Sequence, residues 1–342
     1  MATRMAQPKL ELVDGNQPNA QRVAILEAPC KISLAHAKIP EPCDGEIRVR
    51  IKWVGICGSD VEAYRGTRKP EFLSTPARVG HEVAGVIDKV GLNVIGVREG
   101  DHVTCRYVWG AFAEYLTCRP FNVHVVPKDF PLKAASLIEI LPGVIHAVEL
   151  GDISPTKSVL IMGQGVSGLV LTQVARLFSP EALAVTDLKE RNLSIAKKYG
   201  ATHVYRIPTP DAPTMNVVGD DFPDGFDVVI PCLLEGDGMV DAIDCAAFGG
   251  RIVMYGCIGV CNRPLDFFKV HRKRLDVYST EPKRDIDMRR FFQEGVRLVL
   301  DGLVNTEEIV THTVPLGRIR EAFSLRNDQM HDAIHVLVDC DA

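Results

Sequence analysis

Residues 158–175 (SVLIMGQGVSGLVLTQVA) run without a charge, yet three glycines and Gln164 stand at their centre. A membrane span of that length wants apolar bulk where those glycines fall. The stretch reads instead as a buried strand, a glycine turn and a helix. The text downstream repeats that grammar. ALAVTD, HVYRI, FDVVIP, RIVMYG and LDVYST are strand-like, and helical stretches over about 167–178, 189–199 and 239–247 lie among them. Strands alternating with helices specify a parallel, doubly wound sheet, an α/β fold.

Residues 21–126 follow another rule. RVAILEA, EIRVRIKWVG, EVAGVIDKVG, DHVTCRYVW, AFAEYLTC and NVHVVP are short β-like runs separated by turns, an all-β pattern. Lys133 to Glu149 reads as a helix with Gly143 as its weak point. Helices over 287–300 and 319–325 and a strand AIHVLV close the chain. With 342 residues, about two domains are expected. The expected division is a polar, loose arm over 1–20, a β-rich domain over 21–151 and 282–342, and the doubly wound domain over 152–281.

Charge excludes some functions. The chain has 39 Lys and Arg against 44 Asp and Glu, a net −5, spread without a basic stripe. No nucleic-acid partner and no anionic membrane surface is expected. The ten cysteines form no CxxC pair and no secreted framework, and residues 1–20 hold no apolar signal core. A reducing cytoplasm is the expected compartment.

Gly163-Gln-Gly165-Val166-Ser167-Gly168 follows a strand and opens a helix. The first glycine allows the tight turn, the second lets a pyrophosphate approach the backbone, and the third packs helix on strand. Phosphates then sit on the helix N-terminus, where unpaired N–H groups and the macrodipole favour negative charge. Asp187, with Leu188 beside it, ends the next strand, placed to accept both ribose hydroxyls of an adenosine. A carboxylate there repels a 2′-phosphate, so NAD is expected over NADP, although Lys189 and Arg191 could reach a phosphate. A glycine turn alone has purely structural uses. Here strand, turn, helix, second strand and terminal acid agree.

The β-rich part contains Cys57-Gly58-Ser59-Asp60, then His81-Glu82, and later Glu139. Cysteine, histidine and carboxylate are the ligand types of an open catalytic zinc. Asp60 could orient the His81 imidazole. Residue type and spacing alone favour a buried thiol and a core histidine. The surrounding words decide otherwise. VGICGSDVEAYRG, RVGHEVAGVIDKVG, REGDHV, GAFAEY and AASLIE, followed by GQGVSG and TDL, resemble in order the zinc-dependent medium-chain dehydrogenases. The resemblance spans about residues 22–342 and is nearest the sorbitol (polyol) and threonine dehydrogenase branch.

That resemblance implies a GroES-like β-barrel catalytic domain beside a Rossmann domain, with the active site in the cleft and a dimer or tetramer as the assembly. It implies zinc ligands at Cys57, His81 and Glu139, with Glu82 a neighbour able to exchange in. It makes Ser59 the hydroxyl that takes the substrate proton, and places Tyr255 and Cys257 in the segment beneath the nicotinamide. The implied reaction is the interconversion of a secondary alcohol and a ketone on a polyol, sugar, cyclitol or related small metabolite. The alcohol, deprotonated on zinc, gives hydride to NAD.

The chain departs from the family at three places. The four-cysteine structural zinc lobe is missing, since only CRYVW separates Thr104 from Gly110, so one zinc per chain is expected. Glu62 stands where a histidine usually passes the proton to solvent; it is either the terminal base or a solvated surface residue. The usual Glu-Pro-Leu reads Glu139-Ile-Leu-Pro142. His335 falls near a basic residue that relatives keep for the pyrophosphate, a role not adopted here. Tyr64, Tyr107 and Trp109 fit either a substrate pocket or the core. Two rival readings stay open. A zinc-free quinone or enoyl reductase of the same superfamily would hold no metal. A catalytically silent dinucleotide-binding protein would bind NADH and oxidise no alcohol.

Overall fold

Ala20–Ala28 (β1) and Lys31–Lys38 (β2) pair antiparallel across a two-residue turn in which Cys30 takes φ +57°. Glu11 and Val13 exchange backbone hydrogen bonds with Lys38 and His36. The arm expected to be loose is therefore laid along β2 from residue 11 onward. The computed structural model describes residues 10–68, 73–233, 236–255, 261–282, 284–328 and 331–342.

The β-rich text then folds as Ile47–Gly55 (β3), Gly58–Arg65 (α1), Glu82–Val90 (β4), His102–Cys105 (β5), Tyr115–Cys118 (β6), Val123–Val126 (β7) and Leu132–Ser136 (α2). After the second unit, Val310–Pro315, Ile319–Asn327 and His335–Asp339 return to this one. The strand order runs from Val310–Pro315 through His335–Asp339 to β3, β4, β5 and β7, with β6 also on β3. Pairing is antiparallel apart from the two C-terminal strands. On β3, Ile47, Val49 and Ile51 alternate inward and are sealed from solvent. Each such side chain contributes about 1.5–3 kcal/mol of burial.

The second unit covers 140–308. It runs Leu141–Gly151 (α3), Ser158–Met162 (β8), Val166–Arg176 (α4), Ala182–Asp187 (β9), Glu190–Lys198 (α5), His203–Arg206 (β10), Met215–Val218 (α6), Phe226–Pro231 (β11), Gly238–Cys245 (α7), Ala246–Met254 (β12), Phe267–Arg272 (α8), Asp276–Ser279 (β13) and Arg289–Leu300 (α9). The returning elements are then Val310–Pro315 (β14), Ile319–Asn327 (α10) and His335–Asp339 (β15). The sheet is wholly parallel in the order β10-β9-β8-β11-β12-β13. That is the doubly wound order with its switch point between β8 and β11, where such sheets bind ligands beyond the carboxyl ends. Residues 158–175 are β8, the glycine turn and α4.

The unit boundaries differ from those expected. The helix anticipated over 133–149 is α2, a tighter turn over Leu137–Ile140, and α3. Pro142 lacks an N–H and its ring crowds the carbonyl four residues back, so the α-helical ladder is interrupted before it. α3 packs on α4 and α9, which puts 140–151 and 282–308 in the second unit. The stretch Leu132–Gly151 is long and apolar enough to cross a membrane, but 67% of its most apolar window is buried within the protein.

Candidate metal and cofactor sites

Cys57 is the N-cap of α1, and Asp60 at the third helical position folds back on it. Asp60 Oδ2 accepts the Cys57 N–H at 3.0 Å, and its Oδ1 accepts the Gly80 N–H at 2.9 Å. One buried carboxylate thus ties the start of α1 to the residue before His81. His81 Nδ1 stands 3.6 Å from Asp60 Oδ1, an electrostatic approach longer than a hydrogen bond.

The donor atoms of Cys57, His81 and Glu82 lie within 4.8 Å of one another. His81 and Glu82 are 8% and 1% exposed. Among the described residues, His81 Nδ1 is buried without a hydrogen-bond partner. Buried polar atoms rarely stay unpaired, so converging sulfur, nitrogen and oxygen donors fit zinc with a fourth position open. Burial, then the Glu82 charge, pushes the Cys57 thiol up. Burial opposes a charged His81, but Asp60 and Cys57 outweigh it and raise the imidazole well above its ordinary value. Burial likewise opposes a charged Glu82, and His335 and His81 outweigh it and hold the carboxyl below its ordinary value.

Glu139 is not in that triad. It sits in the Leu137–Ile140 turn and pairs with Arg106 Nη1 at 3.0 Å, both side chains nearly buried. Burial raises the Glu139 carboxyl, with Arg106 and His81 pulling the other way. Ser59 is half-buried in the first turn of α1, two residues from Cys57. Glu62 is 4% exposed, so it is no solvated surface residue.

His335, on β15, has Nε2 3.0 Å from Glu82 Oε2, both side chains sealed. Its partner is thus a protein carboxylate. Trp109 packs against His81 with ring centroids 4.6 Å apart and planes tilted by 42°, and the Arg68 guanidinium lies 5.6 Å from the Trp109 ring. Tyr64 packs in the core on Phe323, and Tyr107 stacks on Phe121. Trp109 also borders a cavity of about 520 Å³ with Arg78, Tyr107 and Asn122; the metal-site triad does not line it. The sequence carried no signal for Arg106, nor for Arg326 on α10, whose pKa burial lowers although Cys57 and Glu82 pull it up.

In the second unit, Gly163 takes φ +88°, which its missing side chain permits. A Cβ on Gly168 would fall 1.9 Å from the Gly163 carbonyl oxygen, whereas one on Gly165 would meet nothing within 4 Å. The second glycine therefore faces open space at the N-cap of α4, where no side chain caps Val166 and Ser167. This fits a pyrophosphate. Asp187 Oδ2 accepts the Gln164 N–H at 2.6 Å, and Oδ1 accepts from Lys189 N and Asn192 Nδ2 at 2.8 and 3.2 Å. Leu188 is 41% exposed beside it, and Arg191 is exposed on α5. Tyr255 packs over Gly143 of α3, and Cys257 lies outside the described residues.

Two family models match the two kinds of text. The alcohol dehydrogenase GroES-like domain covers residues 43–128, and the zinc-binding dehydrogenase domain covers residues 167–300. The chain belongs to the zinc-type medium-chain alcohol dehydrogenase family. Sorbitol dehydrogenase of Bacillus subtilis is 26% identical to it over 351 residues, 94% of this chain and 98% of the relative. D-xylulose reductase of Saccharomyces cerevisiae is 29% identical over 272 residues, 69% of this chain and 76% of the relative. An alcohol dehydrogenase of Escherichia coli CFT073, solved with NADH, shares the fold with a TM-score of 0.79 at 24% identity, over 94% of this chain and 99% of that one. In this dehydrogenase β5 passes into a short turn at Arg106–Gly110, and Cys105 and Cys118 are buried free thiols. Burial pushes the Cys105 thiol up to about 12.

Proposed function

We propose that this dehydrogenase interconverts a secondary alcohol and a ketone on a polyol or related small metabolite, using one zinc per chain and NAD. The observation that carries this reading is the buried Cys57, His81 and Glu82 triad, whose donor atoms converge within 4.8 Å of one another. The sorbitol dehydrogenase and xylulose reductase relatives point to polyols. When bound, zinc supplies Lewis acidity that lowers the pKa of a hydroxyl, and NAD supplies the hydride acceptor. The protein's residues then divide the remaining work. Asp60 fixes the backbone on either side of the site, Ser59 takes the substrate proton, and buried Glu62 is the carboxylate that receives it in turn. Gly165 and the α4 N-terminus hold the pyrophosphate, Asp187 the adenosine ribose, and Tyr255 borders the nicotinamide.

Self-association through the β13 edge is part of the proposal. Phe248 on β12 and Phe267 and Phe268 on α8 are each about 70% exposed, and Val277 on the edge strand β13 is 42% exposed. A reducing cytoplasm suits the nine described cysteines, all free thiols.

Elemental analysis of wild type and Cys57→Ala, run beside NADH binding, tests the reading. One zinc per chain, lost in the variant, is the expected result, and a screen of polyols and cyclitols with NAD⁺ follows from it. Metal-retaining preparations without zinc that still bind NADH overturn it in favour of a zinc-free reductase.

A further inference from the structure

We infer that the substrate alcohol carries an anionic group, a phosphate ester or a carboxylate, and that Arg68 receives it. The inference rests on the dehydrogenase reading above and narrows its substrate class. One indole separates this cation from the metal site. Trp109 packs against the His81 imidazole with ring centroids 4.6 Å apart, and the Arg68 guanidinium lies 5.6 Å from the Trp109 ring. Arg68 and Trp109 are each partly exposed, so a ligand can meet them from the solvent side.

The backbone fixes where Arg68 leaves the fold. It follows α1, whose N-cap is Cys57, so a helix of eight residues, about 12 Å long, separates the thiol from the loop that carries the arginine. Gly66 ends that helix at φ +74°, and a Cβ there would fall 2.6 Å from the Pro29 ring. Thr67 donates its N–H and its hydroxyl to the Glu62 carbonyl at 3.0 and 3.3 Å. One short helix therefore sets both the metal-site thiol and the cation.

Pairing sets Arg68 apart from the arginines that brace the same unit. Arg22, Arg48, Arg50 and Arg106 meet the carboxylates of Glu114, Asp88, Asp341 and Glu139. Among the described residues no carboxylate pairs with Arg68, and its Nε is buried without a hydrogen-bond partner. Leaving a buried donor unbonded costs free energy, so the bare fold does not complete this side chain. The indole attracts a guanidinium through its negative ring face and uses none of its N–H donors. Those donors form a planar fork matched to the paired oxygens of a phosphate or carboxylate. A neutral polyol offers that fork no charge.

The test compares matched alcohols of four to six carbons, each neutral polyol beside its terminal phosphate ester and its terminal carboxylic acid. The full-length protein is read by kcat/KM with NAD⁺ and by calorimetric binding to its NADH complex. Wild type is expected to favour one anionic form over the neutral polyol about tenfold or more, and the form favoured tells phosphate from carboxylate. That preference should shrink as salt rises, because the pair is partly exposed. Arg68→Met is expected to raise KM and Kd for the anionic form about 10- to 100-fold with a smaller change in kcat, and Arg68→Lys to recover part of the loss. Zinc content and thermal unfolding of each variant show that the fold is kept. Wild type that handles neutral polyols as well as their anionic forms overturns the inference, as does a salt-independent KM for the anionic form or an undiminished anion preference in Arg68→Met. Wild type that holds no zinc and oxidises none of these alcohols overturns the dehydrogenase reading itself, a distinguishable failure.

Discussion

Glu82 and His335 face each other 3.0 Å apart across a position that has no side chain. Gly55 on β3 pairs with Glu82 of β4 on one side and with Leu337 of β15 on the other. A Cβ there would fall 2.1 Å from Glu82 Oε2 and 2.5 Å from His335 Nε2. Glycine is required for room, since no positive φ strains this residue. Gly55→Ala is expected to push the pair apart, to lower stability by about 1–3 kcal/mol, and to reduce metal content. Denaturant unfolding and elemental analysis check both. A variant as stable and as metal-rich as wild type refutes this account of the site's floor.

Lys273 caps α7 with all three of its protons. Its Nζ donates to the carbonyls of Ile243, Asp244 and Ala246 at 3.0, 2.8 and 2.8 Å. Lys273→Met leaves three carbonyls without these bonds and is expected to cost about 1–3 kcal/mol. Burial also lowers the Lys273 pKa below the ordinary lysine value. Between the folded and unfolded values the unfolded chain binds more protons, so this group's contribution to stability grows as pH rises through that window. Unfolding curves across the alkaline range should show that slope in wild type and lose it in Lys273→Met.

Asp187 is shared between the fold and the cofactor. Its two oxygens already accept three protein donors, which fix the glycine turn and the start of α5. Asp187→Ser is therefore expected to lose about 1–2 kcal/mol of stability. It should also weaken NADH binding about 10- to 100-fold while weakening NADPH binding less, because the carboxylate that repels a 2′-phosphate is gone. Fluorescence titration with both cofactors reads the ratio. Equal losses for the two would remove Asp187 from the ribose site.

The strand-turn-helix grammar was legible because its signals are local. The uncharged run 158–175, the spacing of Gly163, Gly165 and Gly168, and Asp187 at a strand end all lie within one βαβ unit. The short strand Val310–Pro315 was missed, as were β2, whose residues alternate poorly, and α1, whose eight residues include Gly58 and Ser59. Which unit takes α3 could not be read, because an apolar helix does not announce what it packs against. The metal site was half legible. Cys57, His81 and Glu82 meet as adjacent strand and helix ends, but Arg106 meets Glu139 across 33 positions of chain, a pairing set by tertiary folding alone. Glu62 was open between a relay and a solvated residue; burial removes the second.

The three glycines of the cofactor turn separate folding from binding. Gly168 cannot carry a side chain, because its Cβ would overlap the Gly163 carbonyl at 1.9 Å. Gly168→Ala is expected to force α4 away from β8, with a loss of about 2 kcal/mol or more and no NADH binding. Gly165 has φ −70° and open space where a Cβ would point, so Gly165→Ala should fold with a stability within about 0.5 kcal/mol of wild type. If the pyrophosphate approaches at Gly165, the added methyl occupies its path, and NADH affinity falls about tenfold or more. Thermal unfolding beside NADH titration distinguishes the two variants. Gly165→Ala binding NADH as wild type does would move the phosphates away from this turn, even though the strand, helix and acid around it are all in place.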